Sequence, residues 1–177
     1  MRLTRLGWAL GAVLALSAAL LAPLPLELRT RIANSVDIDR PPASVFDYVS
    51  TPGHWPAWHP SSLAVRGTTD HSLQAGERVD EDFVVAGFRG QITWTVAARE
   101  APRRWEIEGT LAGGGTGRIS YTLSPRGAGT RFEREFSYPA PNLLFVAMNR
   151  LFVRERIGRE SAEALRRLKL ALESRPL

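Results

Sequence analysis

Apolar and polar residues alternate with a period of two through most of the chain between residues 32 and 138. Such alternation is typical of β-strands that have one face against a core and the other in water. Glycine, proline and short polar segments separate the runs, as expected of turns. The runs predict seven strands, at residues 32–38, 62–66, 79–85, 88–96, 105–111, 119–123 and 130–138. We therefore expect an antiparallel sheet with one apolar face.

The residues after the last strand have a helical period instead. Asn142 is a favourable N-cap, and no proline follows until Pro176. The apolar stripe of this predicted helix, residues 142–173, consists of Leu143, Leu144, Ala147, Leu151, Gly158, Ala162, Leu165, Leu168 and Leu172. A single helix cannot bury such a stripe alone, so we expect it to cover the apolar face of the sheet. The alternative is a coiled-coil dimer, for which glycine and small residues in the stripe make a poor seam.

The N-terminal segment is apolar. Leu6–Leu26 contains no charged residue and follows Arg2 and Arg5, a pattern that predicts a membrane helix. The small residues at 17–19 favour the alternative of a cleaved secretory signal, and a cytosolic protein is the third possibility. We expect residues 1–28 to be the anchor or signal and residues 29–175 to be one domain. The domain would then lie on the extracytoplasmic side, either in a single-pass membrane protein or, after signal cleavage, as a secreted or periplasmic protein.

Composition and charge exclude several classes of site and function. The chain of 177 residues has a net charge of +5 and no cysteine, which excludes disulfides, thiolate metal sites and cysteine nucleophiles. Basic residues concentrate at the two ends, so the folded middle has no single basic patch and nucleic-acid binding is not expected. The three histidines lack the spacing of metal ligands, and we expect neither a metal nor another cofactor.

Aromatic side chains occupy the apolar phase of several predicted strands. They either fill a core or line a pocket for an apolar small molecule. The pocket hypothesis assigns ligand binding to Phe83, Trp94, Trp105, Tyr121 and Phe136, together with Trp58 from the aromatic segment at residues 54–60.

Three charged residues also lie in apolar phase: Glu81 in the third strand, Arg134 in the last strand, and Arg154 near the centre of the helical stripe. An unpaired buried charge is costly, so each must be paired with an opposite charge, solvated, or displaced by a bulge in its strand or helix. They would orient the polar end of a ligand, for example a carboxylate on Arg134 or Arg154. The alternatives are a salt bridge at the rim of the sheet or a strand register that differs from the predicted one.

Catalytic candidates are weak. Glu81, His59 and Tyr121 are the residues that could move a proton in such a pocket. No Gly-x-Ser-x-Gly elbow is present, and the glycines of residues 113–117 lack the lysine of a phosphate-binding loop. A turn between two strands of a β-hairpin explains the glycines of that segment.

The order of elements and several short motifs resemble one superfamily. The motifs are Val36-Asp37-Ile38 followed by Pro-Pro-Ala-Ser-Val-Phe-Asp-Tyr-Val, Trp55-Pro56-Ala57-Trp58-His59-Pro60, Gly-Thr-Arg-Phe at 129–132, and Ala-Leu-Arg-Arg-Leu-Lys at 164–169. The chain resembles the START-like or SRPBCC superfamily, in particular its polyketide cyclase/dehydrase and lipid-transport group. The resemblance implies an α+β helix-grip fold, in which a seven-stranded antiparallel sheet curves around a long C-terminal helix and encloses a cavity for an apolar ligand.

This resemblance implies a domain that binds or transfers a lipid-like or polycyclic small molecule. The N-terminal segment predicts a membrane as its other partner. The alternative is an enzyme of the polyketide cyclase/dehydrase kind that uses Glu81, His59 or Tyr121 for proton transfer. A third possibility is a protein-interaction module with a fully packed interior. Fold alone does not decide among them.

Overall fold

A computed structural model describes the backbone of residues 2–174 and, within that range, the side chains of residue 8 and residues 10–174. The strands of the described chain are β1 (Arg29–Ile38), β2 (Ser62–Gly67), β3 (Arg78–Val85), β4 (Phe88–Glu100), β5 (Arg104–Leu111), β6 (Thr116–Arg126) and β7 (Gly129–Pro139). The α-helices are α1 (Arg2–Leu21), α2 (Pro42–Ser50), α3 (Trp55–Trp58), α4 (Leu143–Met148) and α5 (Arg154–Glu173).

The strands form one seven-stranded antiparallel sheet, as predicted, in the order β1-β7-β6-β5-β4-β3-β2. Consecutive strands from β2 to β7 pair as hairpins or short connections, and β1 adds to the outer edge of β7. Several strands extend beyond their predicted ends because the terminal residues pair with a neighbour although their side chains no longer alternate. The aromatic segment forms a 3₁₀ turn at Pro52–His54 followed by α3.

Helix α5 covers the apolar face of the sheet. Its buried residues are Ile157, Ser161, Ala164, Leu165, Leu168 and Leu172. Leu165, Leu168 and Leu172 join the same core cluster as the inward residues of the strands. At its C-terminal end, Lys169 Nζ donates to the Asp37 carbonyl oxygen at 2.6 Å, and Glu173 Oε1 accepts from the Asp39 backbone N–H at 2.8 Å. The helix is therefore held against β1, and the predicted helix-grip fold is confirmed.

The C-terminal helix is not the one regular α-helix that the sequence pattern predicted. The N-cap is correct, since Asn142 Oδ1 accepts from the Phe145 backbone N–H at 2.8 Å. A π turn at Asn149–Val153 then separates α4 from α5. A π turn takes about one more residue than an α turn, which shifts the helical phase by about 100°.

The buried residues of this helix also differ from the predicted stripe. Leu143, Leu144 and Leu151, which the pattern placed in the buried stripe, are exposed. Arg154, predicted near the centre of that stripe, is exposed as well. In α5 the buried stripe runs through Ile157 and Ser161 rather than through Gly158 and Ala162.

The N-terminal segment meets the domain beside α4. The Leu24 backbone N–H donates to the Pro141 carbonyl oxygen at 3.2 Å, and Pro23 forms a β-bridge with Asn142. Apolar side chains of α1 such as Leu10 and Leu14 are exposed. Within the part of the chain that the structure describes, no helix is both long and apolar enough to cross a membrane. The predicted transmembrane segment is therefore not supported by the structure.

Candidate functional site

A cavity of about 710 Å³ lies between the sheet and the helices that cover it. Its wall is built from α3, strands β3–β7, the β5–β6 turn, α4, the π turn and the first half of α5. Small-molecule sites in proteins usually measure about 300–1,000 Å³ and are mostly apolar with a few polar groups. The volume and the wall therefore suit a ligand of drug or lipid size.

The structure brings most of the predicted ligand-binding residues to this wall. Trp58, Phe83, Trp94, Tyr121 and Phe136 all line the cavity. The rings of Tyr121 and Trp58 also contact each other, with 6.5 Å between their centroids. Contact of these residues with a ligand stays a prediction, but the predicted inward phase of the strands is correct for each strand residue.

Trp105 and Arg154 do not reach the cavity wall. Trp105 is fully buried behind it, stacks on Tyr121 with 5.3 Å between ring centroids, and donates from Nε1 to the Leu73 carbonyl oxygen at 3.4 Å. It supports Tyr121 from behind rather than facing the cavity. Arg154, the first residue of α5, is exposed and does not line the cavity.

Glycine residues in the strands make room for the aromatic wall. A Cβ on Gly109 would come within 2.4 Å of Ile92 Cδ1 and 2.6 Å of the Trp94 ring. A Cβ on Gly117 would lie 3.2 Å from the Phe136 ring. The Trp94 ring therefore packs directly over the backbone of β5, a close approach that only glycine permits.

Glu81 is a polar group on the apolar wall. It lies on β3, and its Oε2 accepts from the Trp94 indole N–H at 2.7 Å. Burial raises the pKa of the Glu81 carboxyl, and the hydrogen bond from Trp94 and the charge of Arg134 offset only part of this effect. The side chain is therefore more easily protonated than an ordinary glutamate.

His59 follows α3 and faces the same space. Its Nδ1 accepts from the Ser61 backbone N–H at 3.3 Å, so in the neutral ring the hydrogen is on Nε2. Burial, with a smaller contribution from the positive charge of Arg134, holds the pKa of His59 well below its usual value. The buried Nε2 has no hydrogen-bond partner among the described residues. The Nε2–H group of His59 is therefore a hydrogen-bond donor without an acceptor among the described residues.

Arg134 lies on β7 directly opposite Tyr121 of β6. It is only 5% exposed, and its Nη1 donates to the Ser161 hydroxyl at 3.1 Å. The guanidinium carbon lies 5.7 Å from the centroid of the Phe136 ring, close enough for a cation–π contact. Burial raises the pKa of Tyr121 to about 12, although the positive charge of Arg134 lowers it in part. Tyr121 therefore stays a neutral phenol at physiological pH.

Glu160 and Ser161 belong to the site, although the sequence pattern did not indicate them. The Glu160 carboxylate accepts from the Ala86 backbone N–H at 3.1 Å and from the Arg156 Nε at 3.3 Å. The bond from Ala86 ties α5 to the turn between β3 and β4, and the bond from Arg156 lies within α5. Sequence reasoning missed Glu160 because a charged residue was assigned to the polar face of the helix, and Ser161 because a serine adds nothing to an apolar pattern.

The mouth of the cavity is surrounded by exposed apolar side chains. Phe88, predicted to face inward, lies there with 65% of its surface exposed, together with Phe152 at 50% and Met148 at 38%. Leu151 of the π turn is 76% exposed. An apolar rim of this kind is unusual on a surface that faces water only, and it marks a contact site.

A curved sheet that grips a helix around an apolar cavity defines the class of helix-grip domains. Residues 29–173 match the family described as polyketide cyclase / dehydrase and lipid transport, and the chain belongs to this family. The predicted resemblance is thereby confirmed. No curated protein sequence matches the chain.

Solved structures of similar fold are known at low sequence identity. TTHA0849 from Thermus thermophilus has a TM-score of 0.64 at 14% identity, over 82% of this chain and 98% of that one. Protein CV1439 from Chromobacterium violaceum has a TM-score of 0.62 at 15% identity, over 82% of this chain and 98% of that one. Protein MLL2253 from Mesorhizobium loti has a TM-score of 0.62 at 17% identity, over 84% of this chain and 100% of that one. At these identities the likeness shows the fold.

Proposed function

We propose that the domain binds a lipid-like or polycyclic apolar molecule, without covalent chemistry, in the cavity between the sheet and α5. The observation that carries this proposal is the cavity of about 710 Å³ with an aromatic wall. A protein-interaction module with a packed interior would leave no such space, since protein cores are normally filled to crystal-like density. Burying an apolar ligand there would gain about 25 cal/mol per Å² of apolar surface removed from water.

The proposal includes transfer of the ligand at a membrane surface on the extracytoplasmic side. Its support is the apolar rim around the cavity mouth, defined by Phe88, Met148 and Phe152. Exposed Arg150 lies in the same π turn, and basic residues beside exposed apolar side chains favour anionic lipid. The N-terminal segment joins the domain at Pro141, a residue of the cavity wall. Whether that segment is retained or cleaved, it would direct the domain across the membrane. A retained segment would also hold the cavity mouth toward the membrane.

A pair of adjacent substitutions on β3 tests the binding proposal. Val85 lines the cavity, whereas Val84 alternates to the other face of the strand. Val85→Trp should fill the cavity and abolish binding of the neutral apolar dye Nile red, measured by its fluorescence. Val84→Trp adds the same side chain outside the cavity and should bind as the wild type does. Equal binding by both variants would refute the proposal.

A cyclase or dehydratase activity is the second candidate, and Glu81 is the observation that favours it. A partly buried carboxylate with a raised pKa on an apolar wall is suited to accept a proton from carbon beside a carbonyl group. His59 and Tyr121 fit the donor role better, because each presents a hydrogen. Glu81→Gln should then abolish turnover of a poly-β-ketone substrate while Nile red still binds. Unchanged turnover in this variant would exclude Glu81 as the base.

A further inference from the structure

The polar end of the cavity has hydrogen-bond donors and a positive charge without a matching anion. Arg134 is only 5% exposed, its Nε has no hydrogen-bond partner among the described residues, and its Nη1 donates to the neutral Ser161 hydroxyl. Among the described residues, the arginine of β7 that forms ion pairs is Arg131 on its outer face and not Arg134. A buried guanidinium without a carboxylate partner is costly unless another group compensates its charge.

The carboxylates around the cavity are engaged elsewhere. Glu81 accepts the hydrogen bond of the Trp94 indole, and burial raises its pKa and so favours its neutral form. Glu160 accepts from the Ala86 backbone and from Arg156. Neither forms an ion pair with Arg134, so the described part of the chain supplies no paired anion at this end of the cavity.

Two further donors lie beside Arg134. Tyr121 is its cross-strand neighbour and keeps its phenolic hydrogen. His59 is close enough for the charge of Arg134 to affect its titration, and its Nε2–H has no acceptor among the described residues. Donors from α3, β6 and β7 therefore meet at one end of a space that is otherwise apolar.

We propose that the ligand of this cavity is an apolar carboxylic acid, whose carboxylate lies against Arg134 with Tyr121 and His59 as further donors. This inference rests on the proposed function. A planar guanidinium binds carboxylate oxygens in a fork geometry, and such charge-assisted bonds are stronger than neutral ones. The carboxylate would supply the missing counter-charge, while its apolar body fills the aromatic part of the cavity. Arg154, the other arginine that the sequence suggested for this role, is exposed and outside the wall.

Three matched pyrene probes test the inference on the full chain: pyrenebutyric acid, its methyl ester and pyrenebutanol. The ester is larger than the acid and the alcohol is smaller, so size alone cannot imitate a preference for the acid. We expect the wild type to bind the acid more tightly than both neutral probes. In Arg134→Met the affinity for the acid should fall by about 10- to 150-fold, the range for one hydrogen bond to a charged group, and the neutral probes should change less than about twofold.

Two control variants sharpen the result. Arg154→Met removes an exposed positive charge of the same chain and should leave all three affinities unchanged. Arg134→Lys keeps the charge without the planar fork and should retain part of the preference for the acid. Binding of the neutral probes by Arg134→Met shows that its cavity is folded.

The outcomes separate the two proposals. If the neutral probes bind the wild type but the acid has no advantage, or if Arg134→Met weakens all three probes equally, the carboxylate site is refuted and the apolar cavity stands. Loss of the acid preference in Arg154→Met would also refute it. If none of the probes binds the wild type, the proposed function fails, and the carboxylate site fails with it.

Discussion

Arg134 on β7 donates to the Ser161 hydroxyl on α5 at 3.1 Å, and this bond joins the sheet to the helix across the cavity. Both side chains are almost fully buried. The pair is therefore a sensitive place to separate structural roles from ligand binding, because each partner can be removed alone or together with the other.

We expect an asymmetric double-mutant cycle for this pair. Ser161→Ala leaves a buried guanidinium without its acceptor and should cost about 1–3 kcal/mol of the free energy of unfolding. Arg134→Met removes the buried charge and keeps most of the volume, so it should be neutral or mildly stabilising in the ligand-free protein. The double variant should then be close to Arg134→Met alone. Urea unfolding of the four proteins measures the cycle, and additive losses would show that the bond is not important for stability.

Gly109 should be intolerant of any side chain. Gly109→Ala places a Cβ against Ile92 and the Trp94 ring, and the overpacking should cost about 1–3 kcal/mol. Gly113→Ala lies in the turn after the same strand, where nothing is within 4 Å of an added Cβ, and it should be close to neutral. Thermal unfolding of both variants tests this prediction. Similar melting temperatures would mean that Trp94 moves aside freely.

His59 should make the domain less stable in mild acid. Its folded pKa lies below the unfolded value of about 6.5, so its contribution is intact above that pH and is lost as pH falls toward the folded pKa. The expected slope is up to about 1.4 kcal/mol per pH unit. The effect of Glu81 on stability has the opposite dependence on pH. Because its pKa is raised, Glu81 favours the folded state at low pH and destabilises the folded state as the pH rises above about 4.5.

The His59 contribution is measured as the difference in unfolding free energy between the wild type and His59→Gln, since Glu81 is common to both. This difference should decrease from about pH 7 to about pH 5. His71 provides a control of opposite sign: hydrogen bonds to Asp70 and Glu77 raise its pKa, so its stabilising effect is lost as pH rises. A pH-independent difference for His59→Gln would contradict the buried neutral ring.

The apolar rim should contact lipid. Phe152→Asp places a charge on the rim and should reduce co-sedimentation of the protein with vesicles of phosphatidylcholine and phosphatidylglycerol. Leu170→Asp changes an equally apolar residue, 54% exposed, in the last turns of α5 away from the cavity mouth, and should have little effect. Equal losses in the two variants would show that binding does not depend on the rim.

Strand positions were predictable because their signal is local. Alternation over a few residues decides which side chains face inward, and for Phe83, Trp94 and Arg134 the prediction was correct. The same alternation cannot separate a residue on the cavity wall from one behind it. Trp105 on β5 and Trp94 on β4 both occupy the inward phase of their strands, but only Trp94 lines the cavity. Which of the two lines it depends on the curvature of the sheet.

The helix was less predictable, because its phase accumulates over many residues. The π turn at Asn149–Val153 shifts every later position relative to the first turns, and no residue type marks it in the sequence. Leu151 lies in this turn, was expected inside and is exposed. Within α5, Arg154 was expected inside and is exposed, while Ser161 is buried and was missed because a serine adds nothing to an apolar pattern. The role of Gly109 also depends on a contact between strands, which a single strand cannot reveal.

Native mass spectrometry of the full chain, purified from its own host in mild detergent, tests the central claim most directly. We predict a non-covalent adduct of one small apolar molecule per chain, absent from Val85→Trp and retained in Val84→Trp. Its release and accurate mass would identify the ligand. A wild-type protein without any such adduct, or an adduct that Val85→Trp retains at the same level, would contradict the account.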